Sequence, residues 1–416
     1  ISASGGAQRG TGDTVNILSN RARGTLAKDV SNAPVTFQDG ALVVTTRRTD
    51  VNVDTTKLGA QLSVGGTDGA EDATIDLKLP FEHVTANHGL LSNATLFFDA
   101  NFNFRRDFLD LDGDGVFSDG DLTEPAFETS LDGSTFYTIP EAFDVNGDGE
   151  FDSAEGQLVI VGGEDTSVDQ SFEQVLSAPM GFGIISPMST LVSQLMRQRD
   201  IDIVAAADLT LSALELEGFA LAANNYLFNV AEGDSFAGEA YRADVRVAAT
   251  TRLITALFEE IAGADIRSIS TTVYGNLAEK LNGSTIDFES TAFLQSVIQG
   301  TSFRLGTNVD DAVSAAAAAQ IISSLQQRVS DVQNNASREY VDALATLHRT
   351  AEAELVPVIR GLATHSDPAQ VAADNSGSGL DALVAATQVS NVLPPEMYVS
   401  DIAVTEGAGG TGIAEI

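Results

Sequence analysis

The length, composition and charge of this chain exclude several classes of protein. It has 416 residues, of which 43% are hydrophobic, which is enough to bury a large core and to form more than one domain. Its 59 acidic and 22 basic residues give a formal net charge of −37, which repels the phosphate backbone of nucleic acids. Cysteine is absent, so disulfides and thiolate metal sites are excluded. No apolar run reaches the roughly 18–20 residues that a membrane-spanning helix needs. We expect a globular chain without a nucleic-acid partner or a membrane span.

The composition also favours a location outside the cell. Residues 1–10 lack the basic and apolar segments of a signal peptide, and we expect that such a signal has been removed from an exported chain. Acid-rich surfaces with few lysines are tolerated where salt or divalent cations screen their self-repulsion. The sequence therefore favours an extracellular, calcium-rich setting such as the bacterial cell surface.

The first predicted elements are short strands. Apolar and polar residues alternate in several segments, which lie at residues 41–46, 60–64, 73–79, 94–98 and 157–161. Turn-forming clusters such as Gly65-Gly-Thr-Asp-Gly separate them. This pattern is typical of antiparallel β-sandwiches. We expect a β-rich segment at residues 1–80 and a β-sandwich at residues 81–178.

The second half of the chain has helical periodicity. Ser186 and Pro187 fit an N-cap followed by proline at the first helical position, which predicts a helix over residues 188–199. Further helices are predicted at residues 204–214, 238–262, 272–281 and 288–299, with a long one from 309 to about 364. We expect residues 179–393 to form an α-helical bundle, so that the fold class is α+β with several domains.

The end of the chain is predicted to differ from this helical part. Asn375-Ser-Gly-Ser-Gly is typical of a flexible linker, and Pro394-Pro395 ends any helix that precedes it. Residues 398–405 then alternate like a strand that has no neighbour in sequence. We expect the tail at residues 394–416 to pair with a sheet of its own chain or of another subunit.

The segment at residues 144–155 has the spacing of a calcium-binding loop. Calcium takes six to eight oxygen ligands at about 2.3–2.6 Å, and a glycine at the sixth position permits the sharp turn around the ion. Gly149 occupies that position, and Phe151 is expected to point inward and fix the loop to its domain. The predicted ligands are Asp144, Asn146, Asp148, Asp152 and a bidentate Glu155, with the backbone carbonyl of Glu150.

The segment at residues 110–121 repeats this design with a shorter acid at its end. Asp121 stands at the twelfth position, where aspartate reaches less far than glutamate, and Glu124 is an alternative to it. We expect a lower affinity here. The predicted ligands are Asp110, Asp112, Asp114, Val116 through its carbonyl, Ser118 and Asp121 or Glu124.

A third group of oxygen ligands precedes these two segments. Asp99, Asn101 and Asn103 have the spacing of the first three ligands of such a loop, but no glycine or distal acid follows at the usual distance. The group could bind an ion alone, share one with Asp107 and Asp110, or form only an Asx-turn. Residues 99–155 contain 16 acidic and two basic residues, so calcium is expected to be structural here.

Two resemblances follow from these residues. The segment at residues 144–155 resembles the calcium loops of EF-hands and dockerins. A broader likeness, to the calcium-binding β-sandwich modules of large secreted bacterial surface proteins of the SdrD B-type and carboxypeptidase regulatory-like folds, runs over residues 91–192. Its motifs are Asn93-Ala-Thr-Leu-Phe-Phe-Asp-Ala-Asn, Glu124-Pro, Thr129-Ser-Leu-Asp-Gly-Ser, Val161-Gly-Gly-Glu-Asp-Thr, Leu176-Ser-Ala-Pro and Ile185-Ser-Pro-Met-Ser-Thr-Leu-Val. This resemblance implies Asp99, Asn101 and Asn103 as ligands, although the insertion at residues 104–120 departs from the compact family loop.

We therefore expect a calcium-stabilised structural protein of the bacterial exterior and not an enzyme. The four histidines form no HExxH pair, and neither a Gly-x-Ser-x-Gly motif nor a P-loop is present. Self-assembly with other copies of the chain into a filament, sheath or layer is the favoured function. The alternative is a monomeric adhesin module that binds a surface polysaccharide or a host protein.

Overall fold

The structure, a computed structural model, combines small sheets with a helical C-terminal part. It describes residues 90–118, 120–130, 133–147, 151–222, 225–307, 312–390 and 392, the backbone of nine strands before residue 90, and the side chains of residues 84–86. The predicted strand-like tail at residues 394–416 lies outside the described residues. The described part is therefore mixed α and β, with its strands before its helices.

Twenty strands lie in the described part of the chain. Their bounds are β1 (Ser2–Ser4), β2 (Asp13–Asn16), β3 (Thr25–Lys28), β4 (Pro34–Gln38), β5 (Ala41–Thr46), β6 (Asp50–Thr55), β7 (Ala60–Gly65), β8 (Ala73–Lys78), β9 (Glu82–Ala86), β10 (Leu91–Ser92), β11 (Thr95–Asp99), β12 (Phe108–Leu109), β13 (Leu122–Thr123), β14 (Ala126–Glu128), β15 (Ser134–Tyr137), β16 (Gln157–Val161), β17 (Glu164–Asp165), β18 (Gln170–Ser171), β19 (Val175–Pro179) and β20 (Ile184–Ile185). The five predicted strands correspond to β5, β7, β8, β11 and β16.

These strands form several small sheets. The four-stranded ones have the orders β1-β2-β6-β7, β3-β4-β5-β8 and β14-β11-β16-β19, and the others are β10-β17-β18, β15-β9-β20 and the hairpin β12-β13. Most pairs are antiparallel, but β2 with β6 and β9 with β20 are parallel. The small antiparallel sheets agree with the sequence prediction at this coarse level.

The sheet β14-β11-β16-β19 carries the site and is buried on both faces. On one face, Leu96, Phe98 and Ile160 belong to the large apolar core that the helices share. On the other face, Phe97 packs in a smaller cluster with Phe104, which comes from the segment that follows β11. Helix packing therefore holds one side of this sheet, and its own connecting segment covers the other.

Eleven α-helices follow in the described residues. They are α1 (Pro187–Arg199), α2 (Ile203–Ala213), α3 (Tyr226–Ala231), α4 (Ser235–Phe258), α5 (Ile266–Lys280), α6 (Thr291–Leu305), α7 (Ala312–Asp331), α8 (Arg338–Arg349), α9 (Val356–Leu362), α10 (Pro368–Asp374) and α11 (Ser378–Ala386). A 3-10 turn spans Glu141–Phe143, and a π-helical turn spans Thr350–Leu355. None of the described helices has the length and apolarity to cross a membrane.

The predicted start of α1 is confirmed. The hydroxyl of Ser186 accepts the N–H group of Ser189 (3.2 Å), and the hydroxyl of Ser189 accepts the N–H group of Ser186 (2.8 Å), so the two form a capping box ahead of Pro187. The hydroxyl of Ser189 also donates to the carbonyl of Ser177 in β19 (2.8 Å). The cap therefore also fastens the first turn of α1 to the sheet.

Two predictions about the later helices are wrong. The long helix predicted from 309 to about 364 is broken after Asp331, and a new helix begins at the Ser337 cap, whose side chain accepts from the N–H group of Tyr340. Between them, Ala336 adopts a left-handed φ of 47° and Asn334 accepts its N–H group. The predicted linker at residues 375–379 instead runs into α11.

A buried ion cluster joins α4 to the π-helical turn and to the segment before β19. The guanidinium of Arg252 in α4 contacts the carboxylates of Glu173, Glu259 and Glu352. Only 5% of Arg252 is exposed, and its partners Glu259 and Glu352 are also largely buried, whereas Glu173 is half-exposed. Removal of Arg252 would take the guanidinium from both largely buried carboxylates.

Candidate metal centre

The acidic segments leave from one end of the central sheet. β11 ends at Asp99, β16 begins at Gln157, and the register pairs these two residues. The side-chain amide of Gln157 donates to Asp99 (2.8 Å). The segment after Asp99 and the segment before Gln157 therefore meet the sheet at the same end of its strands. The ring of Phe151 in the second segment lies 6.3 Å from that of Phe98 in β11, which anchors this segment to the sheet as predicted.

We call residues 99–107 loop 1, residues 110–121 loop 2 and residues 144–155 loop 3, and we number positions in each from its first aspartate. In loop 1, the fully buried carboxylate of Asp99 accepts the N–H groups of Asn103 (3.1 Å) and Phe104 (3.0 Å). The amides of Asn101 and Asn103 both reach the carboxylate of Asp107, at 2.8 and 2.7 Å. The oxygens of these amides accept the N–H groups of Asn103 and Arg105. The two asparagine side chains of loop 1 thus converge on the carboxylate of Asp107.

Glu124 completes loop 1 from a distant place in the sequence. Its side chain is fully buried. One carboxylate oxygen accepts the N–H group of Ala100 (2.9 Å), and the other accepts the N–H group of Asp107 (3.0 Å). The hairpin β12-β13 brings Glu124 there, since its own N–H group donates to the carbonyl of Asp107 just outside the hairpin (3.1 Å). The structure therefore places Glu124 in loop 1 and not at the end of loop 2.

Loop 2 is closed by its own terminal acid. Asp121 accepts the N–H groups of Leu111 (2.9 Å) and Ser118 (2.6 Å), one on each oxygen. Asp110 accepts the N–H groups of Gly113 (2.6 Å) and Gly115 (2.7 Å).

The carboxylates of loop 2 also lie near one another. One oxygen from each of Asp110, Asp112 and Asp114 lies within 4.8 Å of the others. The remaining predicted ligands are the exposed Val116 and the half-buried Ser118, whose side-chain oxygen accepts the N–H group of Gly120 (3.3 Å). The first three carboxylates of loop 2 can therefore contact one metal ion.

Loop 3 has the same closure in its described part. Glu155 accepts the N–H group of Asn146 on one oxygen (3.1 Å) and that of Asp152 on the other (3.3 Å). Asp144 accepts the N–H group of Gly147 (2.6 Å). The predicted ligands Asp148 and Glu150 lie outside the described residues.

One pattern of hydrogen bonds therefore recurs in all three loops. The two oxygens of the terminal acid accept one N–H group from position 2 or 3 and one from position 9, and this acid is Glu124, Asp121 or Glu155. In each loop this arrangement holds both carboxylate oxygens beside the first ligand positions, where a calcium ion takes a bidentate acid. The sequence prediction missed this role of Glu124 because it assumed a fixed spacing.

Loop 1 adopts the glycine-type backbone of loop 2 without glycine. Phe102 and Phe104, at positions 4 and 6, have φ angles of 61° and 63°, and Gly113 and Gly115 at the same positions have 77° and 75°. Large side chains are rarely found in this left-handed region. Loop 1 thus has the backbone turn of loop 2, although its sequence lacks the glycines by which such a loop is usually recognised.

The two buried acids at loop 1, Asp99 and Glu124, have raised pKa values. Burial raises the pKa of Glu124 to about 7; hydrogen bonds from the backbone of Asp107 and Ala100 oppose this shift, and the charges of Asp99 and Asp107 add to it. Burial also raises the pKa of Asp99. By contrast, hydrogen bonds from the backbone of Gly115 and Gly113 lower the pKa of Asp110 in the exposed loop 2. The described donors to Asp99 and Glu124 are all amides, so a bound cation would stabilise their ionised forms.

No protein-family model matches this chain, and searches of curated proteins and of solved structures find no significant match.

Proposed function

We propose that this protein is a calcium-stabilised structural protein of the bacterial exterior, whose loops 1, 2 and 3 bind calcium, and that it assembles with other copies into a surface filament, sheath or layer. The observation that carries the calcium part is the shared position of the terminal acid. Three segments of different sequence hold both oxygens of this acid in the same way.

The ligand chemistry of loop 1 supports calcium over a softer metal. Its side chains offer the carboxylates of Asp99, Asp107 and Glu124 and the amide oxygens of Asn101 and Asn103. Hard oxygen ligands of this number suit calcium, whereas zinc and copper prefer nitrogen or sulfur. The described part of the loop provides neither histidine nor cysteine.

The position of loops 1 and 3 supports a structural role for the ion. Loop 1 follows β11 and loop 3 precedes β16, which are paired strands of the sheet that packs against the helical core, and Phe104 of loop 1 covers the other face of that sheet. An ion that binds only the folded loops adds its binding free energy to folding, about 2.7 kcal/mol per site at a calcium concentration 100 times Kd. Calcium is therefore expected to stabilise the whole sheet.

Composition and the tail support the assembly part of the proposal. A charge of −37 without cysteine suits an exterior where divalent cations screen self-repulsion. Residues 398–405 alternate like a strand, and such a strand can be donated to a neighbouring subunit. Loop 2 further exposes Leu111, Val116 and Phe117 to solvent.

Calorimetric titration with calcium, together with thermal melting in calcium and in EGTA, tests the calcium part. We expect binding at more than one site and a melting temperature several degrees lower in EGTA. Glu124→Gln should weaken one site, whereas the control Glu128→Gln, which changes an exposed carboxylate on β14, should leave binding unchanged. Equal melting in calcium and EGTA would refute a structural ion.

Light scattering during calcium addition and EGTA reversal tests the assembly part. We expect growth to large particles in calcium and its loss when residues 397–416 are deleted. A protein that binds calcium and stays monomeric would contradict self-assembly, and it would favour the adhesin alternative.

A further inference from the structure

Loop 1 presents two aromatic rings to the helical part of the protein. The guanidinium of Arg197, in the last turn of α1, lies 5.4 Å from the ring centres of both Phe102 and Phe104. A cation over an aromatic face is attracted by the negative charge of that face. One arginine thus joins positions 4 and 6 of loop 1 to α1.

A second arginine joins the next position of loop 1 to α5. Arg105 donates to Asp265 (3.2 Å) and to the hydroxyl of Ser268 (3.4 Å). Asp265 is the N-cap of α5 and accepts the N–H group of Ser268 (3.0 Å). Beneath this contact lies an open cleft of about 860 Å³ between residues 103–105 and residues 264–271. The hydrogen bonds of Arg105 to Asp265 and Ser268 therefore connect loop 1 to α5 across an open cleft.

We infer that calcium in loop 1 operates a latch, formed by Phe102, Phe104 and Arg105 with Arg197 and Asp265, that holds the ends of α1 and α5 against the sheet and sets the width of the cleft. This inference rests on the calcium binding proposed above. It adds a function for the ion beyond stabilisation. Positions 4, 6 and 7 of loop 1 form part of the turn around the proposed ion, and their side chains contact α1 and α5.

The backbone of loop 1 explains how the ion would control the latch. Phe102 and Phe104 both adopt the left-handed conformation, which is unfavourable for them unless the loop is held closed. Glu124 closes the loop through the N–H groups of Ala100 and Asp107, and a cation relieves the repulsion among the acids that this closure brings together. Loss of the ion allows the two rings to turn away from Arg197.

The charges remain compatible with the latch when the ion is bound. Asp99, Asp107 and Glu124 carry three negative charges when ionised, so these three carboxylates together remain negative beside one divalent cation. Arg197 is therefore still attracted to them, and Arg105 of loop 1 keeps its acidic partner Asp265 at the start of α5.

The response is expected to be local. The first turn of α1 is fixed to β19 independently of loop 1, because Ser177 donates its N–H group to the hydroxyl of Thr190 (2.9 Å) and accepts from the hydroxyl of Ser189 (2.8 Å). Calcium release should loosen the last turn of α1 and the first turn of α5. It should leave the start of α1 unchanged.

Hydrogen–deuterium exchange of the full chain, in calcium and in EGTA, tests the latch. Calorimetric titration of the same samples measures calcium binding separately. We expect exchange in residues 193–199 and 264–271 to be at least 10-fold slower in calcium, and exchange in residues 187–191 to be unchanged. Glu124→Gln should abolish the calcium response, and Asp121→Asn, which affects loop 2, should keep it.

A double variant outside the loop keeps the test decisive if Glu124→Gln fails to fold. Arg197→Gln with Asp265→Asn removes both helix-side charges, and asparagine still caps α5. This variant should bind calcium but lose the exchange response at residues 264–271. Because coupling is reciprocal, its affinity at loop 1 should fall about 5-fold or more.

The two proposals fail in different ways. If the protein binds calcium while exchange in residues 193–199 and 264–271 stays the same, or if the double variant retains the full response, the latch is refuted and the calcium sites stand. If titration detects no calcium binding, both proposals are refuted.

Discussion

Replacement of Asp244 by asparagine is expected to change how the stability of this protein depends on pH. Asp244 lies in α4 and is only 3% exposed. Its carboxylate accepts the N–H group of Met188 (3.4 Å) and hydrogen bonds from Tyr226 and Ser186. Burial raises the pKa of Asp244 to about 8; these hydrogen bonds and the positive charge of His348 oppose the shift.

The direction of this pKa shift determines whether the stability of the protein rises or falls with pH. The folded pKa lies above the unfolded value of 3.8, so the folded state binds the extra proton more tightly. The stability that this proton contributes is complete below pH 3.8 and is lost as the pH rises through about 8. At 1.36 kcal/mol per pH unit, the difference amounts to at most about 6 kcal/mol. His348 contributes in the same direction, because hydrogen bonding to Glu352 and the charges of nearby acids raise its pKa despite its burial.

Urea unfolding at pH 5, 7 and 9, at constant free calcium, measures the effect. Asparagine keeps an oxygen acceptor but carries no charge, so the unfolding free energy of Asp244→Asn should exceed that of the parent by no more than about 2 kcal/mol at pH 5 and by about 3 kcal/mol or more at pH 9. The exposed control Asp208→Asn should change neither value. An equal loss of stability at all three pH values for Asp244→Asn would refute the reasoning.

Two further predictions concern backbone space and buried charge. Gly163→Ala should lower the unfolding free energy by about 3 kcal/mol, because its φ is 87° and a Cβ atom would lie 2.5 Å from the carbonyl oxygen of Ser92. The control Gly162→Ala has open space around it and should cost about 1 kcal/mol. Equal losses in chemical denaturation would contradict the clash. Arg252→Met should cost about 3–5 kcal/mol because the largely buried carboxylates of Glu259 and Glu352 lose its guanidinium. Arg328→Met, at a partly exposed ion pair, should cost less than about 1 kcal/mol in the same assay. A small loss at Arg252 would show that water enters the cluster.

Local signals in the sequence were sufficient for some elements. The alternating segments became strands with nearly the predicted bounds, as β11 and β16 show, and the capping residues Ser186 and Pro187 marked the start of α1. Such signals act over a few residues, so they do not depend on how the chain packs. The breaks between later helices depended on contacts instead: Asn334 donates to the carbonyl of Ser235, in α4, and so helps to end the alanine-rich helix that composition alone would continue.

The candidate metal centre shows the limit of arguments from spacing. The sequence predicted the aspartates and asparagines of loops 1, 2 and 3 as ligands, because ligand types repeat at alternate positions. It assigned Glu124 to loop 2 as an alternative to Asp121, since the two are close in sequence. In the structure, the carboxylate of Glu124 instead accepts the N–H groups of Ala100 and Asp107. This position follows from the pairing of β12 with β13, which residue spacing does not show.

That hairpin means that loop 2 lies between loop 1 and Glu124, the acid that closes loop 1. Bringing distant residues together costs entropy that grows with the logarithm of the intervening chain, so a hairpin that has already formed makes closure by Glu124 easier by about 1 kcal/mol. The stretch between Asp107 and Glu124 can then vary in length and sequence, provided that it folds back on itself. The chain thus offers an insertion point between Asp107 and Glu124, where another self-closing segment could replace loop 2 without moving the hydrogen bonds that Glu124 makes to loop 1.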